Sequence, residues 1–143
     1  MPSTTPSELK KQLIAAGLEI FRVQGNRIHL ADRVRENLIM DGGVAAIATD
    51  PLAVRFVVRA QSSQFPGETA EQLFGRARGL ASTSAPRGYR EVETSVVHIN
   101  DPGGGPQTLD TWYEVAYEKP VEPNELVDEL RYALGVEKSA STG

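Results

Sequence analysis

Hydrophobic and polar positions change their period several times along this chain, and each change marks an element. Leu9, Leu13 and Ala16, with Ile14 beside them, recur at helical spacing behind Thr5-Pro6-Ser7-Glu8. That opening fits a helix start, with threonine as N-cap, proline in the first turn and glutamate three residues after the cap. Gly17 is placed to end the helix. The period then drops to two. Phe21 and Val23 alternate with Arg22 and Gln24, Gly25-Asn26 intervenes, and Ile28 and Leu30 alternate with Arg27 and His29. Gly-Asn favours a two-residue hairpin. Val23 should therefore oppose Ile28, and Phe21 oppose Leu30, on a core face, while Arg22 opposes His29 on the other.

Residues 31–40 admit two readings. Leu30, Val34 and Leu38 at four-residue spacing favour a short helix ended by Gly42-Gly43, whereas the even positions would continue the strand, interrupted by Asp32 and Glu36. Val44 to Thr49 reads as a strand and Asp50-Pro51 as a turn. In the next strand Val54, Phe56, Val58 and Ala60 share one side, and Arg55, Val57, Arg59 and Gln61 share the other, a half-buried pattern with a cationic outer face. Phe21 and Phe56 are expected in the core.

Phe65-Pro66-Gly67 breaks the chain, and Thr69-Ala70-Glu71-Gln72 forms a capping box before a stripe of Ala70, Leu73, Phe74, Ala77 and Ala81. A long hairpin follows, Tyr89 to Asn100 and Leu109 to Lys119, turning at residues 101–106, which include Gly103-Gly104-Gly105. The last helix carries Leu126, Val127, Leu130, Ala133 and Leu134, with Gly135 as its expected end. Short turns between successive strands predict an α+β fold. The expectation is a single antiparallel sheet of about five to six strands with three helices packed on it, or four if 31–40 is helical. The domain would span 6–136, between tails at 1–5 and 137–143.

Composition narrows the function classes. The 143 residues are 40% hydrophobic and 24% charged, ordinary for one folded domain. No apolar run approaches the roughly 20 residues of a membrane-spanning helix, and the polar start lacks the features of a secretory signal, so a cytoplasmic location is expected. The absence of cysteine removes disulfides, thiol catalysis and cysteine-held metals. Net charge is −4, unevenly spread: Ile20 to Arg90 holds ten arginines against six acids, whereas Glu91 to Gly143 holds eleven acids against three basic residues. Two solvated faces would account for this, as would a bipolar surface drawn to a charged partner or to another copy of the chain.

Candidate chemistry is sparse. The triple glycine leads towards a strand rich in acids rather than into a helix N-terminus, and no Lys-Ser/Thr pair follows, so it reads as a hairpin tip and not a phosphate cradle. The two histidines, His29 and His98, lack ligand partners at metal-binding spacing. No serine stands in a nucleophile elbow. The same-side pairs Glu91/Glu93 and Glu114/Glu118 read as edge charge. No catalytic residue, metal ligand or cofactor is expected. Nucleic acid is disfavoured by a pI near 5.2 without a helix-turn-helix or stacking signature.

In element order the chain resembles the small α+β domains of the type III secretion chaperone-like group. The matching pieces are the helix from Pro6 to Ala16, strands around Phe21, Ile28 or Val44 and Phe56, the helix from Ala70 to Leu80, strands around Val96 and Val115, and the helix from Glu125 to Leu134. The resemblance rests on element order without a residue motif, so it transfers no functional residue. It implies a non-catalytic protein-binding adaptor or chaperone-like domain acting through sheet and helix surfaces. Arg22, Arg55, Val57, Arg59 and Trp112 are the candidate partner-binding residues, since arginine and aromatic side chains carry interface energy. A second copy of the chain is a further class of partner. The alternative is a small-molecule sensor or enzyme with a pocket between sheet and helices near His98 and Tyr117.

Overall fold

The computed structural model of the protein describes residues 5–49, 51–100 and 108–142, and of residues 34, 108 and 137–142 the backbone alone. Residues 1–4 of the tail expected at 1–5, residue 50 of the expected Asp50-Pro51 turn and the glycine turn expected at 101–106 lie outside the described residues. The elements are α1 (Pro6–Ala15), β1 (Ile20–Gln24), β2 (Arg27–Arg35), β3 (Leu38–Ile47), β4 (Leu52–Gln61), α2 (Ala70–Leu80), β5 (Arg90–Asn100), β6 (Thr108–Val121) and α3 (Leu126–Thr142). The fold is α+β: the described residues form one antiparallel sheet in the order β1-β2-β3-β4-β6-β5 and three α-helices. By packing, the chain divides into two compact units, Met1–Phe56 with Glu118–Gly143, and Val57–Tyr117.

In the first unit α1 begins as its sequence dictates: Thr5 Oγ1 accepts the Glu8 amide at 3.2 Å, and Pro6 occupies the first turn. Leu9 and Leu13 are completely buried, while Ile14 on the opposite side is exposed. The β1–β2 hairpin turns at Gly25-Asn26, with Gly25 at φ +60°, and pairs Val23 with Ile28 and Arg22 with His29 as expected. The ladders Ile28–Ala46–Val54 and Val44–Phe56 put these side chains on one face. All five are buried to within 1% of full coverage. The row His29–Ala45–Arg55 lies on the other face.

Three expectations are corrected here. Residues 31–40 are not a helix: β2 continues to Arg35, turns at Glu36-Asn37, and returns as β3, pairing Asp32 with Met40 and Arg33 with Ile39. Arg33 shows why, because its side chain clamps Glu19 through two hydrogen bonds of 2.9 and 2.8 Å and also donates to the Glu36 carbonyl at 2.6 Å. Gly42-Gly43 is accordingly a bulge rather than a helix stop. Three β3 residues stand between Asp41 and Ala45, opposite the single Leu30 between His29 and Ala31. Gly43 takes φ +75°, its amide donating to Asp41 Oδ1 at 2.9 Å. A side chain on Gly42 would meet Leu134 Cδ2 and the Leu30 carbonyl at 3.3 Å, so α3 crosses β3 where a glycine permits it.

Phe21 is also not a core residue. Ile20, not Phe21, pairs with Leu30, and the register shifts between Ile20 and Arg22. The bulge turns Phe21 outward, 37% exposed, on a strand that has one neighbouring strand among the described residues. Finally, α3 passes through Gly135 to Thr142. Glycine ends a helix by adopting positive φ, and Gly135 is not among the positive-φ glycines. Arg131 ties α3 to α1 by donating to the Ala16 carbonyl at 3.0 Å, and Lys119 of β6 reaches the buried Glu129 of α3 at 3.1 Å.

In the second unit the capping box of α2 is complete, Thr69 Oγ1 accepting the Gln72 amide at 3.2 Å and Gln72 Oε1 accepting the Thr69 amide at 2.8 Å. Leu73, Ala77 and Ala81 are buried, as are Val58, Ala60, Tyr89, Val115 and Tyr117. Phe74 meets Tyr113 edge to face at 5.2 Å.

The contrast between the two phenylalanines is testable. Phe56→Ala should lose about 3–5 kcal/mol in equilibrium denaturation, the usual cost of emptying a buried phenylalanine site. Phe21→Ala should lose measurably less than that, because Phe21 is 37% exposed whereas Phe56 is fully buried. Equal losses would place both rings in the core.

Candidate interaction surface

The outer face of the sheet holds the residues singled out from the sequence. In the first unit the ladders set Arg22, His29, Ala45 and Arg55 side by side across β1 to β4. Arg55 is engaged within the chain: its Nη1 lies 2.7 Å from Glu118 Oε2, with 12% of its side chain exposed. His29 Nδ1 stands 3.8 Å from Asp41 Oδ2, and its Nε2 is buried without a hydrogen bond among the described residues. Burial lowers the His29 pKa first of all; Asp41 opposes this, and Arg22, Arg27 and Arg55 push it further down. The ring is a neutral member of a cationic row.

In the second unit Val57 is half-buried, and Arg59 lies over the half-buried Trp112, its guanidinium carbon 4.2 Å from the ring centroid. The same guanidinium holds Glu114 at 3.0 Å. Trp112 in turn donates its indole N–H to Asp110 at 3.0 Å. Asp110 also accepts from Ser62 Oγ (3.0 Å), Ser63 N (3.0 Å), Ser63 Oγ (2.9 Å) and the Thr111 amide (2.8 Å). Desolvation alone would raise the Asp110 carboxyl, but the hydrogen bonds from Ser63, Trp112 and Ser62 outweigh it and hold the pKa below the ordinary value. This arrangement is a clamp between the end of β4 and the start of β6. Sequence reasoning missed it, although its signal was present in a serine pair ending one strand and an aspartate opening another.

Glu114 and Glu118, which read as edge charge in the sequence, are held by arginines of the same chain. Arg55 and Arg59, four apart in rising order, meet Glu118 and Glu114, four apart in falling order, as antiparallel neighbours must. Arg76 likewise holds Glu68 at 2.7 Å, and Arg78 holds Glu91 at 2.8 Å. These arginines lower the pKa of both glutamates, chiefly through side-chain hydrogen bonds.

The residues of the alternative reading have unlike surroundings. His98 is exposed on β5, its Nδ1 3.4 Å from Thr111 Oγ1. Tyr117 is buried, and its hydroxyl pKa is raised by desolvation first and by Glu91 second. Among the described residues no three His, Asp or Glu side chains converge as a metal site would need, and no helix is long and apolar enough to cross a membrane. Compared with known protein families, with curated proteins and with solved structures, the chain matches none.

Two measurements check this geometry. Asp110→Ala should lower stability at neutral pH by about 1–3 kcal/mol, since hydrogen bonds to a charged acceptor are lost. The depressed carboxyl stabilises the fold above the ordinary aspartate value of about 3.9. That contribution disappears as pH falls through the lower folded-state value, and the variant should lack this part of the acid slope. His29 acts on a different window. As pH falls below about 6.5, the unfolded chain takes up the proton first, so the native protein should lose stability there and His29→Gln should flatten that segment. Identical pH–stability curves for a variant and the native protein would refute the corresponding assignment.

Proposed function

We propose that this chain is a non-catalytic protein-binding module, adaptor or chaperone-like in role, whose first unit receives an apolar stretch of another polypeptide flanked by acidic residues. The distribution of ion pairs carries the reading. Within that unit Arg33 and Arg55 hold carboxylates and Arg131 holds a helix carbonyl. Among the described residues, no carboxylate is bonded to Arg22, Arg27 or Arg35, and Arg22 has only the Phe21 ring beneath it at 5.8 Å. On the same three strands Phe21, Val23, Leu38, Ile39 and Met40 are 37–54% exposed.

Exposed apolar side chains on the strands that carry these arginines support protein recognition, since interfaces are enriched in aromatics, methionine and arginine. The cations set the sign of the partner: an acidic flank is attracted, and a basic one repelled. Of the residues named from the sequence, Arg22 keeps its place in this surface. Arg55, Arg59 and Trp112 instead hold the sheet's own outer face together.

The test is affinity capture from the native cell, followed by binding measurements on the recovered partner with the purified native chain and two double variants. Ile39→Asp/Met40→Asp and Arg22→Asp/Arg35→Asp should each weaken binding at least about tenfold, equivalent to roughly 1.4 kcal/mol. Circular dichroism should show both double variants folded, and binding by the native chain should weaken with salt. A partner that binds all three proteins equally would overturn the proposal.

A further inference from the structure

The two edges of the sheet are defended unequally. Proteins blunt an edge strand by keeping it short, bulging it, or placing lysine or proline on it. β1 has five residues and a bulge between Ile20 and Arg22. β5 has eleven residues, Arg90 to Asn100, with no proline, lysine or glycine among them. It is the last strand in the sheet order, so one of its long sides has no neighbouring strand among the described residues. Its side chains are exposed or half-exposed throughout, with Val92 at 51% and Val96 at 45%. From Thr94 to Asn100 it carries no carboxylate, lysine or arginine. A long edge whose second half is uncharged and β-favouring is a template for another strand.

We infer that the strand taken up by β5 is β5 of a second copy, antiparallel across a two-fold axis near Thr94, so that two sheets join into one. The strand's own sequence identifies the occupant. A two-fold axis normal to the sheet pairs the strand with its reverse, and the registers centred on its first residues then conflict. Centring on Val92 sets Glu91 against Glu93 twice, and centring on Glu93 sets that acid against itself. Like charges directly opposite are destabilising.

Centring on Thr94 removes both conflicts. Val92 then faces Val96 on each side of the axis, Thr94 faces its mate, Glu91 faces Val97, and Glu93 faces Ser95. The two most exposed valines of the strand are matched, and β-branched side chains face one another across the joint, as stable cross-strand pairs require. The single like-charge approach, Glu93 towards its own mate, is diagonal at about 7–8 Å. Moving the axis to Ser95 sets Val92 against His98 and loses the valine match. Glu91 remains with Arg78 of its own chain in either case.

The absence of native cysteine makes the register directly readable. Antiparallel partners have Cα atoms about 4.5–5.5 Å apart, within disulfide reach. The full chain with Thr94→Cys should form a covalent dimer under mild oxidation, whereas Ser95→Cys should cross-link far more slowly. One-strand interfaces are small, so sedimentation is run at high protein concentration. The native chain should sediment there as a dimer. Val96→Lys should sediment as a monomer with unchanged circular dichroism and melting, because the substituted side chain is exposed. A native monomer at every concentration, a dimer that survives Val96→Lys, or cross-linking at 95 in preference to 94 would each overturn the inference. The surface proposed for partner binding lies in the other unit, so failure of either proposal leaves the other standing.

Discussion

The outer side of β4 imposes the constraint on which the arrangement of this sheet depends. A strand that buries Val54, Phe56 and Val58 on one side must turn Arg55 and Arg59 to the other, because the side-chain period is two. Arg55 is nearly covered, and a covered guanidinium is costly unless a carboxylate meets it. Glu118 and Glu114 supply that compensation from β6. The hydrophobic pattern of one strand therefore selects its neighbour by charge. The uneven charge of the chain follows the same logic, since basic residues before position 90 are consumed by acids after it at Arg55–Glu118, Arg59–Glu114 and Arg78–Glu91.

With those pairs formed, polar groups left without such compensation become informative. Among the described residues no carboxylate is bonded to Arg22, Arg27 or Arg35 in the first unit, and no strand pairs with the outer side of β5 in the second. Asp110 belongs to neither class. Its carboxylate accepts hydrogen bonds from Ser62, Ser63, Thr111 and Trp112 and so ties the residues that follow β4 to the start of β6.

Glycine has opposite consequences at two places that look alike in sequence. Gly42-Gly43 follows a stretch with apolar residues at four-residue spacing, and Gly135 follows a helical stripe. At Gly43 the backbone takes positive φ and bulges a strand, with Gly42 beside it making room for Leu134. At Gly135 the helix continues. A glycine permits a conformation without requiring it, and in each case the neighbouring packing chose.

The sequence by itself determined the elements whose signals are local. The Thr5 cap, the Thr69–Gln72 capping box, the Gly25-Asn26 turn and the inward side of β4 each depend on residues within a few positions of one another, and local backbone physics suffices for them. The α+β class was legible for the same reason. Tertiary structure decided what depends on residues far apart. Leu30, Val34 and Leu38 fit a helix until Arg33 bonds to Glu19 and β2 pairs with β3. Phe21 alternates correctly until a bulge on an edge strand turns it outward. Arg55, Arg59 and Trp112 read as free surface until β6 is laid beside β4, because exposure and charge compensation belong to neighbours in space, which alternation along one strand does not specify.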